Sequence, residues 1–329
     1  MTSLPPQVAP ARLAVALGAA FATGGLVALQ TRINGEFAQR LGDGFLAAFI
    51  SFGSGLLLLV LGCLVWRPGR RGIVRVVTAL RERAIPWWLV LGGVGGAFFV
   101  LGQGLTVGLL GVALFTVGVV SGQTVSSLLL DHRGLAMMPS TPATPRRIAG
   151  AVLAVVAVGI ALSDRIRPDI PIWALIIPLV AGLLVGWQQA VNGQVRTIAQ
   201  SAFTATFGNF LVGTTVLGVA LLIHLAVSGW PPLLESLPAN GWLYAGGAIG
   251  CVFIAAQAVI VRTTGVLLMG LALLAGQLVA SVVFDLVVPV SGTGLHFVTV
   301  IGTALVLVAV VIAALPGRRT GTDQVRVSK

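Results

Sequence analysis

Gln30-Thr31-Arg32-Ile33-Asn34-Gly35 lies near the end of an otherwise apolar stretch, and Gln188-Gln189-Ala190-Val191-Asn192-Gly193 lies near the end of another. Both read Gln-x-x-x-Asn-Gly. The four-residue spacing puts the two amides on one face of a helix, one turn apart. Amides inside hydrocarbon are costly unless they find partners, so a duplicated pair calls for a reason. Working outward from the motif gives one. A shift of 158 residues also carries Phe45, Phe49, Phe52 and Gly55 onto Phe203, Phe207, Phe210 and Gly213. A shift of 154 carries Trp88, Gly92, Gly96 and Gln103 onto Trp242, Gly246, Gly250 and Gln257. The same shift carries Gly111, Gly122, Gln123 and Asp131 onto Gly265, Gly276, Gln277 and Asp285. Chance does not produce so many ungapped matches, and the chain reads as two copies of one unit.

Composition says what kind of unit. The chain is 57% hydrophobic and 9% charged, with a mean hydropathy of +1.03; a soluble domain carries roughly 25% charged residues. Many apolar runs reach about 20 residues, enough for a helix to cross a bilayer. They lack the strict alternation of a membrane β-barrel. The expectation is an all-α polytopic membrane protein with ten spans, near 12–33, 44–66, 86–108, 110–131, 147–163, 171–193, 202–226, 241–262, 265–288 and 294–315. The apolar segment after the polar start (1–11) reads as a retained span, not a cleaved signal. The division is a first five-helix repeat at 12–163, a linker at 164–170, a second repeat at 171–315 and a polar tail at 316–329.

Positive charge sets orientation. The connection from Arg67 to Arg83, read as a loop, holds six arginines against Glu82. Ten spans put it on one side with Arg12, Arg133, Arg146, Arg147, Arg196, Arg262 and the cations of the tail, sixteen in all, against four on the other side. Both termini are therefore expected on the cytoplasmic side of the membrane. This placement, not nucleic-acid binding, accounts for the net charge of +11. Five spans per unit is odd, so the second copy enters the membrane inverted, the arrangement many secondary transporters use for alternating access.

The inverted five-span units, the repeated Gln-x-x-x-Asn-Gly and the following Phe-x-x-x-Phe-x-x-Phe resemble the YdcZ-type inner-membrane exporter family of the drug/metabolite transporter (DMT) superfamily. The resemblance covers about residues 12–315. Typical members of that family look like one unit, and this chain looks like two fused. It implies a DMT/EamA-like fold of ten transmembrane helices in two inverted repeats, and export of a small molecule.

The candidate substrate pathway is made of Gln30, Asn34, Gln103, Gln188, Asn192 and Gln257 as two symmetry-related gates, with Gln123 and Gln277 nearer mid-membrane. The competing role for these amides is to join helices by hydrogen bonds of about 0.6–2 kcal/mol each. Asp131 and Asp285, matched at span ends, are candidate coupling groups, against the plainer reading of helix-end residues facing water or a loop amide. Multidrug members of the superfamily carry a membrane Glu in the first span; here Glu36 lies beyond Asn34, at the mouth. The Gly92–Gly96 and Gly246–Gly250 stretches read as close helix contacts, and Trp87, Trp88 and Trp242 as interfacial anchors. His132, read as a loop residue, His224 and His296 form no ligand set. Cys63 and Cys251 read as packing residues, with no metal or disulfide spacing. No catalytic group, cofactor or nucleotide loop is expected. The expected partners are a small-molecule substrate and membrane lipids, with the chain a monomer or homodimer. A passive channel or lipid scramblase is the alternative. An intramembrane enzyme is disfavoured, because Asp131 and Asp285 fall toward opposite faces and lack a Gly-x-Gly-Asp setting.

Overall fold

The structure is a computed structural model that describes residues 10–133, 145–163, 171–229, 239–288 and 297–314. The described residues are almost entirely helical. Helices α1 (Pro10–Leu41), α2 (Gly44–Val65) and α3 (Arg67–Arg81) are followed by a 3-10 turn at Trp87–Val90. Then come α4 (Gly93–Leu110), α5 (Val112–Arg133), α6 (Pro145–Ser163), α7 (Ile172–Ala199) and α8 (Ala202–Ser228). A second 3-10 turn at Gly241–Ala245 leads into α9 (Gly246–Val287), and α10 (Phe297–Ala314) closes the described chain. Five segments are long and apolar enough to cross a membrane: Ala11–Leu41, Gly44–Val65, Trp87–Leu110, Ile172–Ala199 and Ala202–Ser228. Shorter apolar helices lie within α5, α6, α9 and α10.

Three features depart from the sequence reading. The arginine-rich connection after α2 is a helix, α3, started by Pro68 in its first turn, where the missing N–H costs nothing. Helix α1 runs on to Leu41, so the Gln30–Gly35 motif lies inside a helix, and Glu36 is buried instead of lying at a mouth. His132 belongs to the last turn of α5 instead of a loop; His296 lies outside the described residues.

The turn between α4 and α5 is Gly111, at φ +80°, a conformation that Gly adopts without strain. Gly102 of α4 and Gly118 of α5 both approach adjacent residues of α7, Ile177 and Pro178, so the two helices fold back as a hairpin around it. The equivalent segment, α9, is helical throughout, yet it too doubles back. Gly250 lies against Gln30, and the Gln277 backbone against Gly24. Gln30 and Gly24 are six residues apart on α1, about 9 Å, whereas a straight helix would hold residues 250 and 277 about 40 Å apart.

The helices pack in matching pairs: α1 along α9, α7 along α4 and α5, α2 against α8, and α6 against α10. The same approaches are made twice. Gly24 abuts the Leu273 carbonyl and Gln277 N; Gly182, its partner in the repeat, abuts the Val119 carbonyl and Gln123 N. Gly93 abuts the Asn209 carbonyl and Gly213 N; Gly247 abuts the Ser51 carbonyl and Gly55 N. At the centre, the matched rings Phe52 and Phe210 meet each other, centroids 4.8 Å apart, each seated on a glycine of the other helix, Gly213 and Gly55. Reciprocal contacts of this kind are the mark of a two-fold interface.

A side chain at these glycines would enter backbone atoms. We expect Gly24→Val and Gly182→Val each to destabilise by about 1–3 kcal/mol, the range for overpacking. Gly18→Ala, where nothing lies within 4 Å, should leave stability unchanged or slightly raised. Thermal unfolding in detergent checks all three.

Candidate functional site

The amides at the α1 end of the repeat are buried and bond across helices. Gln30 Nε2 donates to the Gly246 carbonyl (2.7 Å), reaching across from α1 to the start of α9. Asn34 Nδ2 donates to Gln103 Oε1 (2.6 Å), and Gln103 Nε2 donates to Thr31 Oγ1 (2.8 Å). Ser51 Oγ donates to Asn34 Oδ1 (3.0 Å). Together these bonds join α1, α2, α4 and α9. Asn34 is 2% exposed and Gln103 is fully buried.

Further bonds surround it. Glu36 accepts from Arg32 Nη1 and Arg40 Nε, both at 2.7 Å, and Arg32 Nε also donates to the Val288 carbonyl (3.0 Å) at the end of α9. The Arg40 guanidinium lies over the Trp242 ring, 5.8 Å from its centroid. Asp43 caps α2 by accepting from Phe45 N and Leu46 N, and its other oxygen stands 3.3 Å from His224 Nε2 on α8. Asp285, buried near the end of α9, accepts from Val112 N (2.9 Å) and Ala113 N (2.7 Å), the first N–H groups of α5. It therefore caps a helix from the other half of the chain, where unpaired N–H groups and the helix dipole favour a carboxylate. Both of its carboxylate oxygens are engaged by these helix-start N–H groups. The side chain of Asp131, its match, lies outside the described residues.

The matching amides at the α7 end are arranged differently. Gln188 Nε2 (2.8 Å) and Asn192 Nδ2 (3.0 Å) both donate to Asn209 Oδ1 on α8, the position equivalent to Ser51. Asn192 and Gln257 are only half-buried. Asn192 stands against Gly92 and Gln188 against Gly96 at the start of α4, while Asn34 bonds Gln103, seven to eleven residues along the same helix, so the two sets are about 10–16 Å apart. Sequence spacing found both amide sets. It missed Ser51, Asn209, Thr31 and His224, whose roles come from partners on other helices; the 158-residue shift between Ser51 and Asn209 was the one signal available.

Gln123 and Gln277 are 6% and 1% exposed. Each presents its backbone N–H side to a glycine of the opposite half, Gly182 and Gly24. One side-chain polar atom of each, Gln123 Oε1 and Gln277 Nε2, has no hydrogen-bond partner, as does Gln30 Oε1. Among the described residues no group of His, Cys, Asp and Glu is arranged to hold a metal ion.

Multiple apolar helices of membrane length, packed as reciprocal halves with buried amides between them, define a multi-pass membrane protein. The family model described as "Putative inner membrane exporter, YdcZ" matches residues 15–161 and again 173–312. The chain belongs to this DMT family of membrane transport proteins. A solved crystal structure, described only as that of a protein, aligns with 95% of this chain and 100% of its own, at 18% identity and a TM-score of 0.55, a likeness of fold. The chain finds no match among curated proteins.

The cap made by Asp285 gives a direct test. Asp285→Ala removes both acceptors and should destabilise by about 0.5–2 kcal/mol, the usual worth of a helix cap. Asp285→Asn keeps one acceptor and should fall between Ala and wild type in thermal unfolding.

Proposed function

We propose that this protein is a secondary transporter that exports a small metabolite or drug-like molecule across the bacterial inner membrane, with both termini cytoplasmic. It works by alternating access between two inverted five-helix repeats, residues 12–163 and 171–315, joined by the 164–170 linker. It is not an enzyme.

The observation that carries this reading is the inequality of the two amide sets. Gln30, Asn34 and Gln103 are buried and bonded to other helices or to one another, whereas Asn192 and Gln257 are half-open. Two sequence-equivalent sites held in different states, about 10–16 Å apart, support a protein closed at one end and looser at the other. Exchange of the two states between similar halves converts one access into the other. The family match in two regions and the twice-made glycine contacts support the duplication.

In this reading Gln30, Asn34 and Gln103 are the outer gate, and Gln188, Asn192 and Gln257 the cytoplasmic gate. Gln123 and Gln277, each with an uncommitted buried polar atom, meet the substrate between them. Asp285 holds the outer end shut through α5 and releases it when that end opens. Asp131 and Asp285 are the candidate groups for a coupling proton, and pH-dependent flux that survives in Asp285→Asn would remove Asp285 from that role.

The test begins with thermal stabilisation of the purified protein across a metabolite and drug panel, since a ligand that binds the native state stabilises it by mass action. A hit is then assayed in liposomes. Flux should saturate, show counterflow, and disappear in the Gln123→Ala/Gln277→Ala double variant while folding is retained. Non-saturating flux without counterflow would instead identify a channel or scramblase. Wild-type flux in the double variant would remove the central glutamines from the pathway.

A further inference from the structure

Helix α3 carries Arg67, Arg70, Arg71, Arg75 and Arg81, all exposed, and no acidic residue. Its third face is not solvated. Gly69, Gly72 and Val76 are buried against the α7–α8 turn, where Thr204 Oγ1 donates to the Gly69 carbonyl (3.0 Å). Arg75 Nη1 donates to the Ala199 carbonyl (3.0 Å) at the end of α7. Arg70 Nη1 donates to the Cys63 and Leu64 carbonyls (2.9 and 2.6 Å) at the end of α2. The helix is thus fixed in orientation by two of its arginines, through contacts to both halves of the chain.

Around the fixed helix, Arg67, Arg71 and Arg75 recur at four-residue spacing on one flank, and Ile73 and Val77 on the other. Val74 and Val77 are exposed, as are Trp66 before the helix and Trp87 after it. A wholly aqueous helix has no use for this apolar flank with tryptophans at both ends. A helix lying in the plane of a bilayer surface does: apolar side chains enter the acyl boundary, and cations meet headgroup phosphates. The equivalent connection in the other half, residues 229–240, has no Lys or Arg and contains Glu235. The cationic surface therefore exists on one side of the membrane only, the side that charge placement assigns to the cytoplasm.

We infer that α3 is a binding surface for anionic phospholipid headgroups in the cytoplasmic leaflet. Guanidinium groups pair with phosphate in two-bond geometry, which suits arginine better than lysine.

The probes are phosphatidylglycerol and phosphatidylcholine, titrated onto the delipidated full-length protein and counted by native mass spectrometry. Wild type should prefer phosphatidylglycerol by about tenfold or more, from the attraction of several cations for an anionic surface. The preference should shrink as salt is raised from low to high concentration. Arg67→Gln/Arg71→Gln/Arg81→Gln, which spares the two arginines that hold the helix in place, should bring the two lipids close to parity with unchanged thermal unfolding in detergent. Equal binding of the two lipids to wild type, or a preference insensitive to salt, overturns the inference without any variant. A wild-type preference retained in the triple variant also overturns it. So does a dimer that the triple variant dissolves, because a second copy would then cover α3.

Discussion

The architecture depends on backbone meeting backbone at glycine. Between helices surrounded by lipid, apolar burial gives little driving force, because lipid tails are as apolar as the side chains they would replace; association rests on close van der Waals contact and hydrogen bonds. Gly24, Gly93, Gly182 and Gly247 let α1, α4, α7 and α9 approach until carbonyl and amide groups of the other half occupy the space a Cβ would take. The Phe52–Phe210 pair fills the centre because Gly55 and Gly213 leave room for the rings. Each of these contacts occurs in two copies related by the sequence repeat, so the halves clasp each other: α1 lies with α9, and α7 with α4 and α5.

This scaffold leaves the polar groups to set the difference between the ends. Interhelical hydrogen bonds within membranes average about 0.6 kcal/mol and seldom exceed about 1.7 kcal/mol. The four bonds of Gln30, Asn34, Gln103 and Ser51 therefore amount to a few kcal/mol, with the Arg32–Glu36–Arg40 pairing and the Asp285 cap beside them. In the proposed transport cycle a closure of that size holds at rest, and differential ligand binding of a few kcal/mol shifts it. An apolar seal of the same area would lack this register specificity, since each amide bond forms at one alignment of α1 against α4 and α9. The duplicated motif is thus consistent with a structural role and a gating role at once, because the bonds that join helices are the ones that the proposed cycle exchanges.

Much of the fold was legible because it was written twice. The repeat located the central aromatic residues and the glycine contacts, and Gly111 marked the turn between α4 and α5. What escaped was set by partners far away in sequence. Asp285 caps a helix that begins 173 residues earlier, at Val112, and no local pattern announces it. Asp43 and His224 meet only because α2 packs on α8. Helix α3 was hidden by its own arginines: six cations in seventeen residues read as a loop, although Gly69, Gly72 and Val76 recur at helical spacing along the face that docks. Glu36 looked exposed because the apolar run ends before it, while the helix continues and two flanking arginines make its burial tolerable.

The central claim is that equivalent positions in the two halves occupy opposite access states. Two-sided cysteine labelling tests it most directly. In a background with Cys63 and Cys251 replaced by Ser, the matched single variants Asn34→Cys and Asn192→Cys would be exposed to a membrane-impermeant maleimide from each face of sealed vesicles. The account predicts that Asn192→Cys reacts from the cytoplasmic face much faster than Asn34→Cys reacts from either face. Equal reaction rates of the two would contradict it.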